Sequence, residues 1–184
     1  MAVETPKLSE TISICPDFTL PSVLDGEFFS LSDFRNNQPL VVMFICNHCP
    51  YVKAIEDRLI QLGQDLMKKS IHVIAICSND EFSYPEDSLE NLNKRALEKK
   101  YPFIYLHDKN QTVAKAFGAV CTPDFFVYDQ NAALAYRGRL DNSWKDPSQV
   151  TSQELYLAVL DLAHNKPLTK IQKPSMGCSI KWLK

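Results

Sequence analysis

Leu40-Val-Val-Met-Phe-Ile-Cys46-Asn-His-Cys49-Pro50-Tyr-Val-Lys-Ala-Ile55 is the stretch on which the fold turns. Its apolar run from Leu40 to Ile45 has the length and continuity of a fully buried strand. Val52, Ile55, Leu59, Leu62 and Leu66 then recur three and four apart, the stripe of an amphipathic helix. Cys49 stands where strand gives way to helix. Pro50 suits the first helical position, because the N–H it lacks would have no partner there. A thiol at that junction faces the unpaired amides and the positive end of the helix dipole. Such a placement favours the thiolate, and helix N-terminal cysteines titrate as low as roughly pH 3.5–7.5.

The pattern continues on both sides. Residues 40–45 read as a strand, 50–69 as a helix and 71–77 as a second strand. The polar segment 79–88, with Pro85, reads as a loop, and 88–99 as a helix with Leu89, Leu92 and Ala96 on one face. Residues 103–106 form a short strand, and helix 110–117 stops at Gly118. Phe125–Tyr128 and Leu134–Tyr136 pair as a hairpin around Asp129–Asn131. Thr151 and Glu154 have capping-box spacing for a helix reaching about His164. Upstream, residues 18–20 and 28–30 flank a turn at Asp25-Gly26 and form a hairpin, followed by a helical turn at Ser32-Asp33-Phe34. The tail, 166–184, carries Pro167, Pro174 and Gly177 and reads as irregular, tied down by Ile180 and Trp182. This order predicts an α/β sandwich: a central mixed sheet flanked by helices, with an N-terminal β-hairpin extension. No repeat, low-complexity tract or linker interrupts it, so residues 1–184 are expected to form one domain.

The chain of 184 residues is long enough for a sizeable core, and 45% hydrophobic with 23% charged residues is ordinary for a globular protein. A net charge of −2 offers no basic field, so neither nucleic acid nor a membrane surface is expected as a partner. The first residues, Met-Ala-Val-Glu-Thr-Pro-Lys7, hold no long apolar stretch, so no signal peptide and a cytoplasmic location are expected. In that compartment thiols stay reduced. Six cysteines, at 15, 46, 49, 77, 121 and 178, therefore point to redox catalysis before a disulfide scaffold. Cys77 closes an apolar strand and reads as a buried filler.

Cys46 lies two residues before Cys49, the gap of a redox pair, but on the strand side. Bridging it to Cys49 requires α-carbons within roughly 7 Å, which sequence leaves open. Cys178, next to Gly177, reads either as a mobile resolving thiol or as a thiol packed under Trp182. Thr122-Pro123 follows Cys121 and leads into an aromatic strand. Beside an active-site cysteine, that X–Pro bond is expected to be cis. His48 is read as tuning Cys49 or facing solvent. Cys46, His48 and Cys49 offer metal-type ligands, but no second Cys/His cluster completes a tetrahedral site, so no metal is expected.

Taken together the motifs resemble the thioredoxin-fold superfamily, and within it the peroxiredoxin-like, AhpC/TSA-type branch. Cys15-Pro-Asp-Phe-Thr-Leu20, Gly26 and Leu31-Ser-Asp-Phe34 look like the entry segment of alkyl hydroperoxide reductase-type proteins. Phe44-Ile-Cys-Asn-His-Cys-Pro-Tyr-Val52, Tyr84-Pro-Glu-Asp-Ser88, Cys121-Thr-Pro-Asp-Phe-Phe126, Tyr136-Arg-Gly138 and Gly177-Cys-Ser-Ile-Lys-Trp182 look like the signature of this branch. The resemblance implies that Cys49 is the nucleophile, with Thr122-Pro123 on the cis-proline loop beside it. It also implies that Cys121, His48 and Pro50 border the substrate. Val52 falls where thioredoxin-like proteins carry their second cysteine, and where peroxiredoxins carry their reacting one. A threonine or serine stands three residues before that peroxiredoxin cysteine. Here the position holds Cys49, or Cys46 if Cys49 itself reacts, so peroxidase chemistry lacks its activating hydroxyl.

The expected function is a thiol–disulfide oxidoreductase of antioxidant type. Cys49 is its nucleophile, Cys46 or Cys178 its resolving thiol. It needs no organic cofactor, only an external thiol reductant and a protein or small-molecule disulfide. One alternative is a peroxide reductase forming a sulfenic acid on Cys49. Another is a non-catalytic thioredoxin-fold domain that binds peptide or metal.

Overall fold

A computed structural model describes residues 3–6, 13–169 and 171–184. In chain order its elements are β1 (Val3–Glu4), β2 (Thr19–Pro21), β3 (Phe28–Ser30), β4 (Leu40–Phe44) and α1 (Pro50–Met67). β5 (His72–Cys77), α2 (Leu89–Lys99), β6 (Ile104–His107), α3 (Thr112–Phe117) and β7 (Cys121–Thr122) follow. β8 (Asp124–Tyr128), β9 (Leu134–Gly138), α4 (Glu154–Ala163) and β10 (Gly177–Ser179) complete the set.

β4 is the axis of a five-stranded sheet ordered β6-β5-β4-β8-β9. It pairs in parallel with β5 (Leu40 opposite His72) and antiparallel with β8 (Phe44 opposite Asp124). β5 and β6 are parallel, β8 and β9 antiparallel. All five β4 residues are buried, as an apolar run without alternation requires of a strand covered on both faces. Side chains alternate between the faces. Val41, Met43, Val73, Phe125 and Val127 join Ile55, Leu59, Leu66 and Leu155 in one core cluster. Val42, Phe44, Ile74 and Phe126 join Phe18, Phe34 and Phe117 in the other. The sheet is therefore mixed α/β with helices on its faces, the architecture expected from the sequence.

The outer elements differ in detail. Thr151 does not cap α4. Its hydroxyl accepts from Asn142 Nδ2 at 2.8 Å, Gln153 holds the N-cap position, and Glu154 takes two hydrogen bonds from Arg139 instead of reaching back. An arginine fork on a carboxylate outcompetes a single backbone amide. Ser30 and Asp33 do form a capping box, on the short 3-10 turn Leu31–Phe34. The tail is mostly irregular but not loose: it supplies β10, the central strand of a small sheet ordered β1-β10-β7. Among the described residues no helix is long and apolar enough to cross a membrane.

One charged pair lies inside the fold. Asp124 Oδ2 accepts from Arg137 Nη2 at 2.8 Å, with side-chain exposures of 0% and 3%. The guanidinium also donates to Gly118 O and stacks over the Phe126 ring, 4.6 Å from its centroid. Ser175 Oγ, from the tail, donates to Asp124 and to Gly138 O. Burial pushes the Asp124 carboxyl upward and Arg137 pulls it back. Removing one partner leaves the other charge buried, and the usual cost is about 3–5 kcal/mol. Asp124→Ala is accordingly expected to lose about that much stability, read as a lower urea midpoint with unchanged slope. A loss below about 1 kcal/mol, the range of exposed pairs, would show that the pair adds nothing special.

Candidate active site

The carboxyl ends of β4 and β5 lie side by side because these strands run parallel, so the loops that follow them meet. The first loop carries Cys46, Asn47, His48 and Cys49. Cys49 is the N-cap residue of α1, with φ −70° and ψ 121°, Pro50 follows at the helix start, and Cys49 O accepts from Lys53 N. Its side chain is buried and makes no capping hydrogen bond.

Cys49 Sγ donates to the Thr122 carbonyl at 3.0 Å. Cys46, also buried, sits 3.2 Å from Thr122 Oγ1 and hydrogen-bonds Cys49. Cys178 reaches the same place from β10, where it stands opposite Thr122 in the antiparallel register, and its thiol hydrogen-bonds Cys49. Three thiols, from positions 46, 49 and 178, thus converge around one threonine. All six cysteines are thiols in the structure. The Thr122–Pro123 peptide is cis.

The hydrogen bond from Cys46 is the largest influence on Cys49 and lowers it, while burial opposes. Cys178 and the Val52 amide add further lowering, and the net position is about 5. The Thr122 carbonyl works the other way: it accepts from the neutral thiol and repels the thiolate. Two S–H donors outweigh it. Helix position, the source expected from sequence, is therefore secondary to the neighbouring sulfurs. Cys46 moves up, first through burial, then through its bond to Cys49 and the charge of Asp87. Cys178 is pushed up to about 12, again by burial first, with Lys181 opposing.

His48 Nδ1 lies 2.5 Å from Asp87 Oδ2 and 3.7 Å from Cys46 Sγ, and its ring stacks on Tyr84 at 4.6 Å. Asp87, fully buried, also accepts from the Asn47 and His48 amides and from Asn79 Nδ2. An acceptor so supplied with donors is a carboxylate, and the network assigns the Nδ1 proton to it. His48 Nδ1 then cannot take the Cys46 proton, which is left for Cys49 or Thr122. Both Nδ1 and the backbone amide of His48 are thus engaged by Asp87, which ties the ring to the loop after β5.

Cys46 Sγ, His48 Nδ1 and an Asp87 oxygen lie within 4.8 Å of one another, the group of metal-type ligands among the described residues. Zinc ligands at 2.0–2.1 Å in a tetrahedron stand about 3.3 Å apart. The 2.5 Å between Nδ1 and Oδ2 is a hydrogen-bond distance instead. Cys49, the third ligand suggested by sequence, is replaced in this group by Asp87. Cys121 points away from the cluster: its Sγ donates to Pro123 O at 3.6 Å. Pro50 is exposed at the helix start. Asn79 is not singled out from sequence, and Asp87 enters there only within the Tyr84–Ser88 motif, with no role given. The available signal was their position in the loop after a parallel strand, beside the loop that holds the cysteines.

This architecture is the thioredoxin fold, shared at low identity with solved oxidoreductases. A secreted Mycobacterium tuberculosis disulfide oxidoreductase superposes with a TM-score of 0.60 at 18% identity, over 79% of this chain and 96% of that one. The AhpC/TSA family profile matches residues 13–137, and the chain belongs to the AhpC/TSA family. It is similar throughout to an uncharacterized conserved protein from Geobacillus kaustophilus (TM-score 0.94, 43% identity, 100% and 97% of the two chains). It is also similar to a hypothetical protein from Sinorhizobium meliloti 1021 (TM-score 0.92, 37% identity, 99% of each chain). No curated protein matches the chain in sequence.

Because only the thiolate alkylates, the Cys49 rate with iodoacetamide is expected to reach half its maximum near pH 5 and to be flat above about pH 7. Cys46→Ala deletes the main donor to the thiolate and should raise that midpoint by about one unit. An unmoved midpoint in the variant would show that the neighbouring thiol is not the cause.

Proposed function

We propose that this protein is a thiol–disulfide oxidoreductase with Cys49 as its nucleophile. The observation that carries the reading is a buried thiol set on the Thr122 carbonyl with two further thiols in hydrogen-bond contact, which draw its pKa down to about 5. Membership of the AhpC/TSA family supports a redox role in general terms.

Cys49 thiolate attacks one sulfur of a disulfide R–S–S–R along the S–S axis. That bond breaks, a thiolate leaves, and Cys49–S–S–R forms. Cys46 or Cys178 then loses its proton and attacks Cys49 Sγ, expelling the second thiolate and closing a protein disulfide. Two protein sulfurs are oxidised by two electrons and the substrate becomes two thiols; one proton comes from the resolving thiol and the other from solvent, which took the Cys49 proton when that thiol ionised. An external thiol reductant reverses the protein's half of the exchange. Thr122 and Pro123 shape the wall beside Cys49, Cys121 supports that loop from behind through its bond to the Pro123 carbonyl, and His48 and Pro50 form the rim of the cysteine loop. No organic cofactor takes part. The chemistry suits a reducing compartment such as the cytoplasm, where the thiols are regenerated.

The family favours a second reading, peroxide reduction. Cys49 thiolate would attack the peroxide oxygen, releasing alkoxide and leaving a sulfenic acid, which a neighbouring thiol would convert to a disulfide and water. The hydroxyl nearest the cluster, Thr122 Oγ1, faces Cys46 and not Cys49, which weighs against fast peroxide attack.

Cys49→Ser is expected to take disulfide turnover, coupled to an external dithiol, down to the uncatalysed background. Retained turnover would remove the nucleophile from this reading. Peroxide supplied instead of disulfide should be consumed slowly. Fast consumption with oxygen mass appearing on Cys49 would favour the second reading.

A further inference from the structure

β7 is two residues long, and its outer edge lies directly beside the Cys49 sulfur. Such an edge is a template for an added strand: backbone groups give the pairing, and the alternate side chain of the guest is delivered to the neighbouring site. Here the guest is the chain's own tail. β10 pairs antiparallel with Thr122 and Cys121 through Cys178 and Ser179. The residue it delivers opposite Thr122 is a cysteine, in hydrogen-bond contact with Cys49. This is the position an extended peptide would take if its own cysteine were attacked.

The strand is built in tightly. A Cβ on Gly177 would stand 2.0 Å from Thr122 O, so only glycine permits this approach of two backbones. β1 covers the far edge of β10, with Val3 opposite Cys178 and Glu4 opposite Gly177. Beyond the strand, Ile180 N donates to Val120 O at 2.9 Å, and Lys181 N to Asn79 Oδ1 at 2.8 Å. Lys181 O accepts from Asp80 N and Gln111 Nε2, while Gln111 Oε1 accepts from Leu183 N. Gln111 is fully buried and adopts a left-handed backbone, φ 61°, to serve both sides. A protein substrate would have to break this series of bonds to reach Thr122. A small molecule needs only local opening. Cys49 is itself buried but adjoins exposed Pro50, and a cavity of about 280 Å³ lies on the other side of Pro123, lined by Ile55, Phe125, Trp144 and Met176 together with Arg139 and Asp141 and by none of the three thiols. That space suits a small organic group, not a folded chain.

We propose that Gly177–Ser179 is a built-in substrate strand: it makes Cys178 the disulfide partner of Cys49 and denies the Thr122 edge to protein disulfides, leaving small disulfides as the oxidants. The inference rests on the thiol–disulfide reading above and selects between the two resolving thiols left open there. In the full cycle the small disulfide R–S–S–R first forms Cys49–S–S–R with release of one thiolate. Cys178, giving up its proton, then displaces the second and forms Cys49–Cys178. An external dithiol reduces that bond and is itself oxidised.

The test mixes the reduced full chain with glutathione disulfide, quenches with acid and alkylating agent, and maps disulfides by mass. Turnover of glutathione disulfide and of insulin is measured in parallel. A Cys49–Cys178 bond is expected in the wild type, with insulin reduced far more slowly than glutathione disulfide. Cys178→Ser, which keeps the strand's backbone, should accumulate the Cys49–glutathione adduct and slow turnover by about tenfold or more. Gly177→Ala should raise insulin reduction relative to glutathione disulfide. If that variant does not fold by circular dichroism, the Cys178→Ser and wild-type arms decide alone. A Cys49–Cys46 bond with Cys178 alkylated, or wild-type insulin reduction as fast as that of glutathione disulfide, would overturn the inference and leave the oxidoreductase reading standing. Absence of both the Cys49 adduct and any Cys49 disulfide would overturn the oxidoreductase reading itself.

Discussion

Burial of β4 on both faces and along both edges is the constraint from which the site follows. A strand with Val41 to Phe44 wholly inside must have a helix-covered core on each face and a paired neighbour on each side. Its chain can leave the sheet only at the carboxyl end. There it must turn at once into α1, whose Val52, Ile55, Leu59 and Leu66 cover one of those faces. The turn leaves five residues, Ile45 to Cys49, between strand and helix, and Cys46 and Cys49 are two of them. The antiparallel partner β8 begins at Asp124, opposite Phe44, so the residues just before it, Thr122 and Pro123, are brought to the same end of the sheet. The meeting of cysteine and proline loop is thus a consequence of sheet register.

A buried thiolate is normally unfavourable, since desolvation penalises the charged form. The sulfurs at 15, 77 and 121 follow that rule and are pushed upward. Cys49 departs from it because its neighbours are donors. The same two thiols are raised, first by burial and then by the hydrogen bond that each gives Cys49. In the proposed cycle one arrangement sets nucleophile and resolving thiol apart: the sulfur with most donors is the one lowered, and its two neighbours are raised. His48 does not disturb this, because Asp87 holds its Nδ1 proton.

Much of this was legible in the chain. Period and length identify β4, α1 and β5, and the hairpin of β8 and β9, to within a few residues, because those elements are set by burial, which sequence displays directly. The helix start at Pro50 and the stop at Gly118 are legible through backbone chemistry. The α4 cap was misread because Thr151 and Glu154 found better partners in Asn142 and Arg139, which only tertiary structure brings near. The placement of Asp87, though not its presence in a signature motif, and that of Asn79 were hidden for a related reason. A buried carboxylate in a polar loop has the same local signature as an exposed one, and only the parallel pairing of β4 with β5 places it under His48. Cys178 was recognisable as a thiol beside a glycine, but whether it was anchored or mobile depended on a strand of three residues. That is too short for any periodicity to reveal.

The glycine at 177 shows how a local vacancy can govern a distant geometry. An uncovered edge strand is open to any extended chain, and here the β7 edge beside Cys49 is filled by β10. For the following residue to bring a side chain against Cys49, the backbone one position earlier must lie almost on the Thr122 carbonyl, where no Cβ fits. The bulkier anchors, Ile180 and the Asn79 and Gln111 amides, hold the segment in place but do not set its depth. Depth is set by the absence of a side chain. The spacing Gly-Cys thus carries a requirement that neither residue carries alone: the first permits the approach, and the second uses it.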